Sequence, residues 1–143
     1  MKRGEMVLLA IGVLVIGLFL WLGNRSSRLN LTGQWVGFRK MDAKEGADPS
    51  IVKTLTKVEL RILPNRRFSL FERGLPKRGR VDYSEDRATL EITELAGKGM
   101  ETQPEHVRDE YGPIEVIPQK DGSLLYRDPK LMEPPVFLRR SKV

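Results

Sequence analysis

Apolar and polar positions follow two regimes along this chain. Met6–Leu22 (MVLLAIGVLVIGLFLWL) is apolar throughout and uncharged, and no other segment resembles it. A run that is apolar on every face does not suit the surface of a globular domain. As a helix it would be roughly 25 Å long, near the lower limit for crossing a bilayer core. Trp21 suits the headgroup level. The pattern predicts a transmembrane anchor over residues 1–23, followed by a polar linker at 24–30. The rival is a cleaved secretory signal, whose apolar region is usually about 7–15 residues and ends at a small-x-small site. Leu22–Ser27 (LGNRSS) offers no such pair. Lys2 and Arg3 favour a cytoplasmic N-terminus against the opposing bias of Arg25 and Arg28, because a long following domain translocates largely regardless of charge. The expected location is the cell membrane, single-pass, with the C-terminal domain exported.

Beyond the linker the period is two. Gly33–Arg39 reads as a first strand and Met41–Ser50 as a polar loop. In Thr54–Leu63, Val58, Leu60 and Ile62 alternate with Lys57, Glu59 and Arg61, the pattern of a sheet with one buried face. Pro64-Asn65-Arg66 turns the chain. Arg67–Glu72 returns with Phe68 and Leu70 inward, and Gly74 and Pro76 break it. Gly79–Ser84 and Ala88–Leu95 follow, the second with Leu90 and Ile92 inward. Ala96–Gly112 is a long polar excursion in which Glu101–Tyr111 can form a helical turn. Pro113–Pro118 and Ser123–Arg127 flank the hairpin signal Asp121-Gly122, and Val136–Arg140 is the eighth strand. Consecutive strands with one apolar face each must curl or stack to bury it. The expected fold is mainly β: an eight-stranded antiparallel up-and-down barrel over residues 31–143, with a two-sheet sandwich as the alternative.

Charge adds one feature. The chain carries +6 overall, with charged residues at 31%. The basic excess concentrates in Arg66, Arg67, Arg73, Lys77, Arg78 and Arg80, against Glu72 alone, while Asp82–Glu115 is mainly acidic. These are either two solvated faces of opposite sign or, more sharply, a basic surface for anionic lipid headgroups or an acidic partner. Nothing resembles a nucleic-acid-binding motif.

Candidate chemistry is sparse. His106 is the only histidine and there is no cysteine, which excludes a multi-histidine metal site, a Cys–His pair and a lipoprotein anchor. No glycine-rich phosphate loop is present. The expectation is no catalytic, cofactor-binding or metal-binding residue, hence no enzyme. What remains is a membrane-tethered module with a structural, protein-interaction or lipid-interaction role at the cell envelope. The alternative is a small apolar ligand held in the barrel interior. Phe68, Tyr83, Tyr126 and Phe137 are large enough to fill a small interior, which favours the first reading.

Leu31-Thr32-Gly33-Gln34-Trp35 resembles the Gly-x-Trp opening of lipocalin-like (calycin) barrels. The later order of signals, from Val58–Ile62 through Asn65–Leu70, Gly79–Val81 and Ala88–Ile92 to Val136–Arg140, is similar to that of small bacterial members. The Gly79 strand departs from them, with Val81 and Tyr83 where many carry a second Trp. The resemblance implies that Gly33 and Trp35 close one barrel end and that Arg139 or Arg140 packs across the indole. Alternation within the last strand puts Val136, Leu138 and Arg140 on the core side and Phe137 and Arg139 on the other.

Overall fold

The computed structural model describes residues 29–42 and 44–142. The expected anchor at Met6–Leu22 lies outside the described residues. Among the described residues no helix is long and apolar enough to cross a membrane.

Nine strands follow in order: β1 (Gly33–Phe38), β2 (Lys57–Ile62), β3 (Arg67–Glu72), β4 (Leu75–Tyr83), β5 (Ala88–Leu95), β6 (Lys98–Gly99), β7 (Ile114–Pro118), β8 (Leu124–Arg127) and β9 (Val136–Arg140). Every pairing is antiparallel. The ring β1-β2-β3-β4-β5-β7-β8-β9 returns to β1, and β6 only extends the edge of β5. The fold is therefore a closed eight-stranded barrel and not a sandwich. Closure leaves little unpaired edge for other chains to extend.

The inward set follows period two. Val58, Leu60, Leu70, Leu90, Ile114, Val116 and Leu138 are fully buried, with Ile62, Phe68, Val81, Leu124 and Tyr126 nearly so. Ile92 is only partly buried. A register shift between Arg78 and Gly79 changes the phase of β5, so Leu95 rather than Thr93 or Glu94 returns to the core.

Two local expectations need correction. The segment before β2 is helical: α1 spans Pro49–Thr56, where the polar-loop and strand readings met. Asp48 caps it by accepting from Ser50 N at 2.8 Å, and Pro49 occupies the first turn, where a missing N–H costs nothing. The helix α2 (Glu105–Glu110) sits within the expected helical turn Glu101–Tyr111. Finally, Gly74 and Pro76 do not break the sheet. Arg73 and Gly74 both take positive φ (52° and 77°), the two-residue turn that matches strand twist, and β4 starts at once with Leu75.

Candidate functional site

β1 runs from one end of the barrel to the other, with Trp35 near its start and Arg39 just past its end. At its first end the chain crosses the barrel as Leu29–Thr32, with Leu31 buried. Trp35 is buried beneath it and donates from Nε1 to Leu31 O at 3.0 Å. The β1–β9 register sets Trp35 opposite Arg140. The Arg140 guanidinium lies 4.6 Å from the indole centroid and donates to Thr32 O at 3.2 Å. Gly33 has φ +142°, and a Cβ there would lie 2.9 Å from Arg140 Nη1, so a side chain would meet the closing arginine. The structure thus gathers Gly33, Trp35 and Arg140 into one plug. Arg139 points outward.

The opposite end is closed by charge. Glu72 is 1% exposed, at the end of β3's inward row Phe68–Leu70–Glu72. Its Oε2 accepts from Arg39 Nη2 at 2.5 Å and its Oε1 from Lys77 Nζ at 2.5 Å. Lys77, one of the residues expected on a basic surface, is 3% exposed and belongs to this cluster instead. Its ammonium sits 4.7 Å from the Tyr111 ring centroid, and the Arg39 guanidinium 5.7 Å from that of Tyr126. Burial pushes the Glu72 carboxyl up, but Lys77 and Arg39 outweigh it and hold the group below its ordinary value. Burial, reinforced by the Glu72 charge, pushes the Tyr126 hydroxyl well up. Glu72 is thereby fixed as a carboxylate acceptor between two cations. A general acid or base needs a pKa poised near the working pH, and this arrangement supplies the reverse. Among the described residues no group of three or more metal-ligating side chains converges.

Arg39 also reaches outward. Its Nη1 donates to Glu133 Oε2 at 2.9 Å, and Arg73 pairs with the other oxygen of Glu133. Beside this pair a cleft of about 860 Å3 opens on the outer wall, lined by Phe38, Met41, Leu55, Pro134, Pro135 and Phe137 with Arg39, Lys40, Arg73 and Glu133. Phe137, a candidate for the interior, stands in this cleft at 58% exposure. It occupies the outer face of β9 while Val136 and Leu138 face the core.

The remaining basic residues separate from Lys77 and Arg73. Arg67 pairs across β3–β4 with Arg80, and Arg78 shares their outward face. Arg66 lies 6.0 Å from the Tyr83 ring. Arg66 and Arg67 sit at the Trp35 end, where the described chain begins. Arg78 is partly answered by Glu94 at 3.6 Å.

Comparison with protein-family models, curated proteins and solved structures finds no match to this chain. Sequence reasoning missed Arg39, Glu72, Glu133 and Tyr126 as a group. For two of them the signal was present: continuing the alternation by two residues from Leu70 reaches Glu72, and from Gly37 reaches Arg39.

Proposed function

We propose that the chain is a non-catalytic, lipocalin-like barrel module, tethered by Met6–Leu22 at the cell membrane with its barrel exported, and that it acts through its outer surface. The observation that carries this reading is the distribution of apolar side chains. Inward positions are occupied by buried residues from every strand of the ring, while Phe38, Met41, Leu55 and Phe137 stand exposed together on the outer wall. A filled interior gives no support to a ligand held inside, whereas a grouped exposed apolar patch marks an interaction site. The tether would leave at the Trp35 end, on the same side as Arg66, Arg67 and Arg80. That end therefore faces the membrane in our reading, and its arginines meet anionic headgroups.

The test is vesicle binding by residues 29–143, which contain every core residue of the barrel. Each Lys or Arg near an anionic surface contributes about 1 kcal/mol, screened by salt. Binding should rise with phosphatidylglycerol content, fall with salt, and drop when Arg66, Arg67 and Arg80 are changed to Glu. Equal binding to neutral vesicles rejects the membrane-facing assignment.

A further inference from the structure

The cleft at the Arg39 end has the size and composition of a small-molecule site: hundreds of Å3, mostly apolar, with a few polar groups at one side. Its charge is unbalanced. Arg39, Lys40 and Arg73 line it against Glu133 alone. Glu133 comes from the loop between β8 and β9, and its carboxylate accepts from both Arg39 and Arg73. Its side chain is 37% exposed, whereas that of Arg39 is 11% exposed and anchored from behind by Glu72. A partly exposed carboxylate thus rests on a guanidinium that the barrel holds from behind through Glu72. Arg39 Nε is buried and has no hydrogen-bond partner among the described residues, so the fixed side retains unused donor capacity.

We propose that this cleft binds a single-chain aliphatic carboxylate, and that Glu133 is the internal occupant of its headgroup position. The ligand carboxylate takes the donors of Arg39 and Arg73, and Glu133 turns to solvent. The alkyl tail lies along Phe38, Leu55 and Phe137. One carboxylate replaces another, so the ion pairing is conserved and the selective gain comes from burying the tail. Glu72 keeps its hold on Arg39 throughout. The inference rests on the outer wall being the working surface, but not on membrane contact at the Trp35 end.

The probe is decanoate, added to the full chain in phosphatidylcholine nanodiscs with 13C-methyl methionine. Met41 lines the cleft and Met132 sits beside Glu133, while Met100 follows β6 across the ring. Met41 and Met132 signals should shift saturably, with Met100 unmoved. Octanoate should bind about tenfold more weakly, since each buried methylene is worth up to about fourfold. Glu133→Gln should tighten decanoate roughly tenfold, the scale of one charge-assisted hydrogen bond. Arg73→Gln should weaken it, and Phe137→Asp, at an exposed position on the outer face of β9, should abolish it. An equal response to decyltrimethylammonium, an unchanged affinity in Glu133→Gln, or no saturable shift each overturns the proposal. Binding that survives Phe137→Asp places the ligand away from the outer-wall cleft and overturns the outer-surface reading as well. Vesicle binding fails or succeeds independently of all these outcomes.

Discussion

Trp35 and Arg39 project from the same face of one extended segment, yet each helps to close a different end of the barrel. Around Trp35 the seal is an apolar ring, a crossing segment with Leu31, and one cation laid on the indole. Around Arg39 it is a carboxylate between two cations, with two tyrosine rings beside them. The first seal tolerates inexact placement, because dispersion and cation–π attraction vary gently with geometry. The second does not. A buried carboxylate repays its desolvation only if each partner stays in place. The barrel thus has one end whose stability is set by volume and one set by charge pairing. Only the charged end extends outward, through Arg39 to Glu133 and the cleft.

The largest effects should separate the ends by mechanism. Glu72→Ala leaves Lys77 buried without its carboxylate and should cost about 3–5 kcal/mol, while Glu72→Leu combined with Lys77→Met should recover much of that loss. Trp35→Ala should cost a similar amount, about 3–5 kcal/mol, through its cavity, and no single charge change should restore it. Urea denaturation of the four proteins decides the matter. A Glu72→Ala loss below about 1 kcal/mol would mean that the charged seal is not structural.

The next effect is the coupling across the first seal. A double-mutant cycle between Trp35 and Arg140 should return roughly 0.5–2 kcal/mol. The same cycle with Arg139, on the outer face, should return nothing measurable. Coupling to Arg139 equal to that of Arg140 would contradict the register of β1 on β9.

The smallest effect is acid sensitivity. Glu72 holds its proton less tightly in the folded chain than at its ordinary value of 4.5. Its contribution is therefore complete above that pH and is lost as pH falls through the depressed folded value. Between neutral pH and the acid limb, the native protein should lose more stability than Glu72→Gln. Glu59, Glu115 and Asp121, also held low by cationic or hydroxyl neighbours, are common to both proteins and cancel. Parallel stability curves for the two proteins would show Glu72 to be uncoupled from its cations.

The first end was legible in the residues and the second was not, for a physical reason. Trp35, Val136 and Leu138 announce themselves by hydropathy, so alternation puts Val136 and Leu138 inside; that an arginine of the last strand packs across the indole was implied by the resemblance to lipocalin-like barrels, and alternation only favoured Arg140 over Arg139. Arg39, Glu72 and Lys77 occupy the same inward rows, but hydropathy assigns each of them to solvent. Lys77 was accordingly grouped with Arg66 and Arg67 on a basic surface. Only the three-dimensional meeting of β1, β3 and β4 shows that their charges answer one another. Period two carried more information than hydropathy in these rows. The helix α1 was hidden differently: Val52 and Leu55 lie close before the regular alternation of β2, and the cap formed by Asp48 and Pro49 is a local signal that hydropathic alternation does not register.

The union of β1 with β9 also has a temporal consequence. Arg140 meets Thr32 across 108 positions of sequence. Such a pairing pays its loop-closure entropy late, and barrels built on it fold slowly. Throughout synthesis one flank of β1 would wait, with Trp35 uncovered and backbone donors free, until Val136–Arg140 has emerged. During that interval pairing of the waiting strand edge with another copy competes with closure of the barrel.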